Sequence, residues 1–87
     1  MGKEIYDAIY KIAKSTDSDV IHIFMEGAEV QGLLLDCNDN KCISGVVTLQ
    51  DAAVTCKQTG NTKHYRWLNI PAHHVKAFTF KCCIIDE

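Results

Sequence analysis

Two alternating apolar strands joined by a glycine turn constrain this chain more than any other feature. Val20-Ile21-His22-Ile23-Phe24-Met25 runs into Glu26-Gly27, and Glu29-Val30-Gln31-Gly32-Leu33-Leu34-Leu35 runs out again. Side chains alternate between faces along a strand. Val20, His22 and Phe24 therefore share one face, and Ile21, Ile23 and Met25 share the other. Both sets are largely apolar, so both faces are expected to be covered, one by the barrel core and one by an N-terminal helix. Gly32 interrupts the second strand, as expected where a sheet bends sharply or carries a bulge.

More strand-like segments follow a polar turn, Asp36-Cys37-Asn38-Asp39-Asn40. Ile43, Val46, Val47, Thr48 and Leu49 form a β-branched run broken at Gly45, a second interior glycine where a strand could bend. Ala53 to Cys56 extends the next strand, and the cluster at 57–62 is a turn. Residues 63–70 read as a strand that Pro71 stops, and residues 75–82 as the last. Ahead of them, residues 3–14 have helical periodicity: Ile5, Ile9 and Ala13 are spaced by four, with Ala8 and Ile12 on the same face. Such a helix is marginal alone and must pack, as a lid over one end of the sheet. The expected fold is mainly β: an N-terminal helix, then a strongly bent five-stranded antiparallel sheet forming a small open barrel over residues 19–82.

Eighty-seven residues make one domain, 1–87, and 47% apolar content is enough for a real core. A net charge of −2 argues against tight non-specific binding to nucleic acid, so any RNA contact must be local or shared between subunits. No apolar run is long enough to span a membrane, and the amphipathic start does not look like a secretion signal. Five cysteines, Cys37, Cys42, Cys56, Cys82 and Cys83, contain no Cys-x-x-Cys pair and read as reduced thiols in the nucleus or cytoplasm.

Over roughly residues 4–82 the chain resembles the Sm and Sm-like family. The family's first motif reads here as the hairpin with Gly27 and Gly32, then Asn38-Asp39-Asn40, then Ile43, Val46 and Leu49. The second falls on Leu68-Asn69-Ile70-Pro71-Ala72-His73-His74-Val75, with Pro71-Ala72 where the family has Arg-Gly. The resemblance implies assembly with other Sm-fold subunits, the fourth strand of one pairing with the fifth of the next. Tyr65, Trp67, Val75, Ala77 and Phe78 would lie in that interface. It also implies a contact with single-stranded U-rich RNA, for which Asn38, Asn40, His73 and His74 are the candidates. Asn can pair with base edges and His can stack on a base.

The residues themselves leave alternatives open. Asn and Asp suit a solvated turn as well as an RNA loop. The Cys and His spacing fits no structural metal pattern, and neither a phosphate loop nor a nucleophile elbow occurs, so no cofactor, metal or catalytic site is expected. Two functions remain: a subunit of an RNA-processing or ribonucleoprotein-assembly complex, or an adaptor of the same fold that binds no RNA. The adaptor would be a Gemin-type scaffold or an auxiliary subunit of an N-terminal acetyltransferase. The missing Arg-Gly favours the second.

Overall fold

The computed structural model describes residues 2–16, 19–35 and 45–81. Helix α1 (Gly2–Thr16) precedes strands β1 (Val20–Met25), β2 (Ala28–Leu34), β3 (Val46–Cys56) and β4 (Thr62–Pro71). A 3-10 turn, Ala72–His74, then leads to β5 (Ala77–Phe80). All five strands form one antiparallel sheet in the order β4-β3-β2-β1-β5. The sheet curls but does not close, so the fold is the open barrel expected from the sequence.

The bend has a specific origin. Gln31 faces Ala53 and Leu33 faces Gln50, so the single residue Gly32 stands opposite two, Asp51 and Ala52. This is a β-bulge, and its first residue, Asp51, is left-handed at φ 50. A Cβ at Gly32 would sit 3.2 Å from the Ala52 Cα and 3.3 Å from the Gln50 carbonyl oxygen, so any side chain there makes its neighbours give by a few tenths of an ångström. Inward positions along β3 shift accordingly. Val47, Leu49 and Ala52 are all buried, a step of three that regular alternation forbids and the bulge permits.

The bulge lies within one continuous strand, β3, in which 53–56 extends 46–49 and the count of five strands holds. The bend that joins them sits at Asp51, which has no glycine to announce it. Gly45 is not interior to a strand: it lies just ahead of β3 at φ 82. The final strand is shorter than 75–82, because Val75 follows the 3-10 turn and points into the core.

The core is Ile21 and Ile23 of β1, Val30 of β2, Val47 and Leu49 of β3, Ile70 of β4, Ala72, Val75 and Phe80. Ile9 of α1 belongs to the same cluster. The helix therefore docks in cis, on the 3-10 turn and β5. It does not cover the second face of β1, where Val20, His22 and Phe24 stay half-exposed. Its buried stripe also differs from the expected one. Tyr6 and Tyr10 pack beside Ile9, their ring centroids 4.8 Å apart, and the Tyr10 hydroxyl donates to the Leu35 carbonyl at 3.3 Å. Ile12 is rotated to the opposite flank and is 39% exposed.

Candidate functional site

The ends of an antiparallel sheet carry backbone groups with no strand beyond them. Here those ends are β4 and β5. Along β4 every residue except Leu68 and Ile70 is exposed. Hydrogen-bond direction alternates along an antiparallel strand. At one end the Ala72 N–H donates to the Gly45 carbonyl at 2.8 Å, so Ile70 and Leu68 address β3 while Asn69 and Trp67 address the open side. Pro71, which has no N–H, falls on an outward position and costs the ladder nothing. At the other end the Cys56 N–H donates to the Asn61 carbonyl at 2.9 Å, so Lys63 and Tyr65 address β3 and Thr62 and His64 point outward.

The predicted interface residues separate on this frame. Tyr65 stands opposite Ala52 on the inner side of the sheet, and Trp67 stands opposite Gln50 on the outer side. Both are largely exposed, at 41% and 52%. On β5, Ala77 is exposed and Phe78 is half-buried, its ring edge-on to Phe80 with centroids 6.2 Å apart. Val75 is a correction: at 4% exposure it lies in the protein's own core and is not available to a partner.

Between the two edges lies the turn with His73 and His74. Three backbone bonds pin it: Ala72 N–H to Gly45, Val75 N–H to Ala72 at 3.1 Å and Lys76 N–H to Phe24 at 2.8 Å. Ala72 and Val75 are buried as anchors, which leaves both imidazoles exposed, with ring centroids 4.2 Å apart and planes tilted by 39°. The two histidines line one hollow with Met25, Glu26 and Lys76. Asn38 and Asn40 lie outside the described residues. The flanks of their segment are defined: the Leu35 N–H donates to Thr48 at 3.0 Å, and the Gly45 carbonyl accepts from the histidine turn.

A cleft runs along the inner side of β4. Met25, Val54, Tyr65, Leu68, Ile70 and His74 line its middle. Val54 and Tyr65 continue it toward Lys63, and Met25 and His74 continue it toward the histidine hollow. Its middle is apolar, Lys63 lies at one end, and Lys76 lies with Glu26 and the two imidazoles at the other.

That charge pattern was hidden by the net charge. No Asp or Glu occurs between Asp51 and Asp86, whereas Lys57, Lys63, Arg66, Lys76, Lys81 and three of the four histidines do. The fold places Lys63 and Arg66 on β4 and Lys76 at the histidine turn, whereas Lys57 pairs with Glu29 at 3.9 Å and Glu26 shares the hollow with Lys76. Counting signs along the sequence in two halves would have found it.

Cys56 ends β3 on the turn to β4. Its thiol is held below its ordinary value by the Thr59 backbone N–H, then the Thr59 hydroxyl and the Gln58 N–H, all stabilising the thiolate. Among the described residues no three His, Cys, Asp or Glu side chains group as metal ligands. No described helix is long and apolar enough to cross a membrane.

No family model matches the sequence, and no curated protein matches it. Solved structures do. An Sm protein from Pyrococcus abyssii, determined in complex with a uridine heptamer, superposes with a TM-score of 0.60 at 18% identity. The match covers 83% of this chain and 96% of the archaeal one. The fold is Sm-like. The expectation drawn from two degenerate motifs thus holds for the architecture: the Sm-like frame includes the bent sheet, its open edges and the helix in front of it.

Proposed function

We propose that this protein is an Sm-fold assembly subunit of an RNA-processing or ribonucleoprotein-assembly complex. It joins other Sm-fold chains through β4 and β5 and contacts single-stranded U-rich RNA at the His73–His74 turn, with Asn38 and Asn40 completing the contact. The observation that carries this reading is the sheet order, which leaves one long and one short open edge on an otherwise complete core. Support for RNA comes from the uridine heptamer held by the structural neighbour and from the basic residues around the histidine turn. A stacked base contributes about 1–3 kcal/mol, so one subunit binds weakly and affinity rises with assembly. On this reading the protein is not an enzyme and works in the nucleus or cytoplasm.

A specific observation favours a second reading. Pro71-Ala72 stands where the family resemblance leads one to expect Arg-Gly, and Ala72 is fully buried. An adaptor that uses the same edges without RNA fits that replacement.

Native mass by light scattering and oligouridine binding by fluorescence anisotropy test the pair together. The RNA reading expects measurable oligouridine affinity that drops about tenfold in His73→Ala/His74→Ala, the loss of roughly one stacked base. No binding to oligouridine in any assembled state would leave the adaptor reading standing and remove the first.

A further inference from the structure

We propose that the β4 edge takes an edge strand from a different chain, one that offers an apolar side chain flanked by carboxylates, and that it rejects a second copy of this protein. The inference rests on the edge-pairing reading above and specifies its partner.

Three observations carry it. The first is the backbone. The outward N–H groups form two short rows, Thr62 with His64 and Trp67 with Asn69, which another strand satisfies by extending the sheet on either side of the slip between them. A nucleic acid has no complementary row of alternating donors and acceptors, so the occupant is a polypeptide. The second is the cleft beside this edge. Met25, Val54, Leu68 and Ile70 give it an apolar floor, so the incoming strand must present an apolar side chain there.

The third is charge. Lys63 and Arg66 are exposed on β4 and supply its charge. Lys57, on the turn before β4, is already paired with Glu29 at 3.9 Å, and at the far end of the cleft Lys76 shares the hollow with Glu26 and the two imidazoles. The chain's own β5 does offer Phe78 as the apolar side chain. However, Lys76 precedes that strand and Lys81 follows it. Copying β5 onto β4 would bring lysines to an edge that already carries Lys63 and Arg66. Like charges facing each other across an interface select against that pairing, and a strand flanked by Glu or Asp reverses the sign. Lysines on an open edge are also a general protection against self-association.

The test uses two synthetic strand peptides with an identical alternating valine–phenylalanine centre, one flanked by glutamates and one by lysines. Affinity for the full chain is measured at low salt and again at about 1 M salt, where screening shortens to about 3 Å. The glutamate peptide is expected to bind about tenfold tighter at low salt, with the difference vanishing at high salt. In Lys63→Glu/Arg66→Glu the preference is expected to invert, with an unchanged melting curve showing that the variant is folded. Equal affinities for the two peptides at low salt would overturn the acidic partner and leave edge pairing intact. Failure of both peptides to bind would overturn edge pairing itself. A closed ring of this chain alone at low salt would show that copies do pair, and displacement of the glutamate peptide by oligouridine would assign the basic strip to nucleic acid. Either of these last two results overturns the proposal.

Discussion

At the scale of single residues the fold turns on one pair, Gly32 and Asp51. Gly32 has Ala52 backbone at 3.2 Å from where a Cβ would stand, and that backbone is fixed by the bulge. Gly32→Ala is therefore expected to lower the unfolding free energy by about 1–3 kcal/mol, the usual cost of forcing extra volume into a packed site. Asp51 at φ 50 tolerates the left-handed region better than a β-branched residue. Asp51→Val is expected to cost about 1–2 kcal/mol and Asp51→Gly little, both read from urea midpoints. One half of this pair is legible in the sequence. A glycine inside an alternating apolar strand signals a bend, whereas an aspartate in a strand signals nothing, because aspartate occurs at many exposed positions. Cys56 shows the same limit from the chemical side. Its hydrogen bonds come from Gln58 and Thr59 only because the turn folds them back onto the sulfur. A lowered thiol value means more thiolate at neutral pH. Alkylation of Cys56, followed by residue-resolved mass spectrometry, is thus expected to reach half its maximal rate at a pH below the ordinary thiol value of 9.0. In Thr59→Ala the midpoint should move upward. A midpoint unchanged by that substitution would show that the hydroxyl does not hold the thiolate.

At the scale of elements, the helix is legible in the apolar spacing of residues 3–14, two residues short at one end and one at the other. Of the expected face, Ile9 is buried and Ile5 and Ala13 pack against the core, whereas Ile12 is exposed. Periodicity gives Ile12 the same standing as Ile9. It could not weigh Tyr6 and Tyr10, which are amphipathic and pack their rings while sending a hydroxyl to a carbonyl. The buried stripe consequently centres on Ile9 and leans toward the tyrosines. Ile9→Ala is expected to destabilise by about 2–5 kcal/mol, as for a fully buried isoleucine. Ile12→Ala, at 39% exposure, should cost less than half of that. Comparable losses from the two would mean that the helix packs on its Ile12 side instead. In β3 the two apolar stretches are out of phase, and the bulge at Asp51 that absorbs the phase break carries no signal of its own in the sequence.

At the scale of the molecule, one open sheet divides the work between inside and edge. The core residues hold the curl, and among the described residues no strand lies beyond β4 or β5, which stand at opposite ends of the strand order. The curl follows from alternation and glycines, and the identity of the edge strands from the family resemblance. The separation of charge follows from neither, since a net value of −2 conceals an acid-free stretch from residue 52 to 85. Two adjacent positions on β4 distinguish what the edge does for folding from what it does for assembly. The Lys63 N–H addresses β3 and the His64 N–H addresses open space. Proline at either position removes one donor and is compatible with an extended residue before it. Lys63→Pro removes a ladder bond of the fold itself and is expected to lower the unfolding free energy by about 1–3 kcal/mol. His64→Pro removes a donor that no part of the described chain uses. Its stability should stay within about 0.5 kcal/mol of the parent, while capture of an acidic strand peptide falls about tenfold or more. The melting curve and the binding isotherm thus move separately in the two variants. If His64→Pro binds the peptide as the parent does, partners reach this protein by some route other than extension of its sheet.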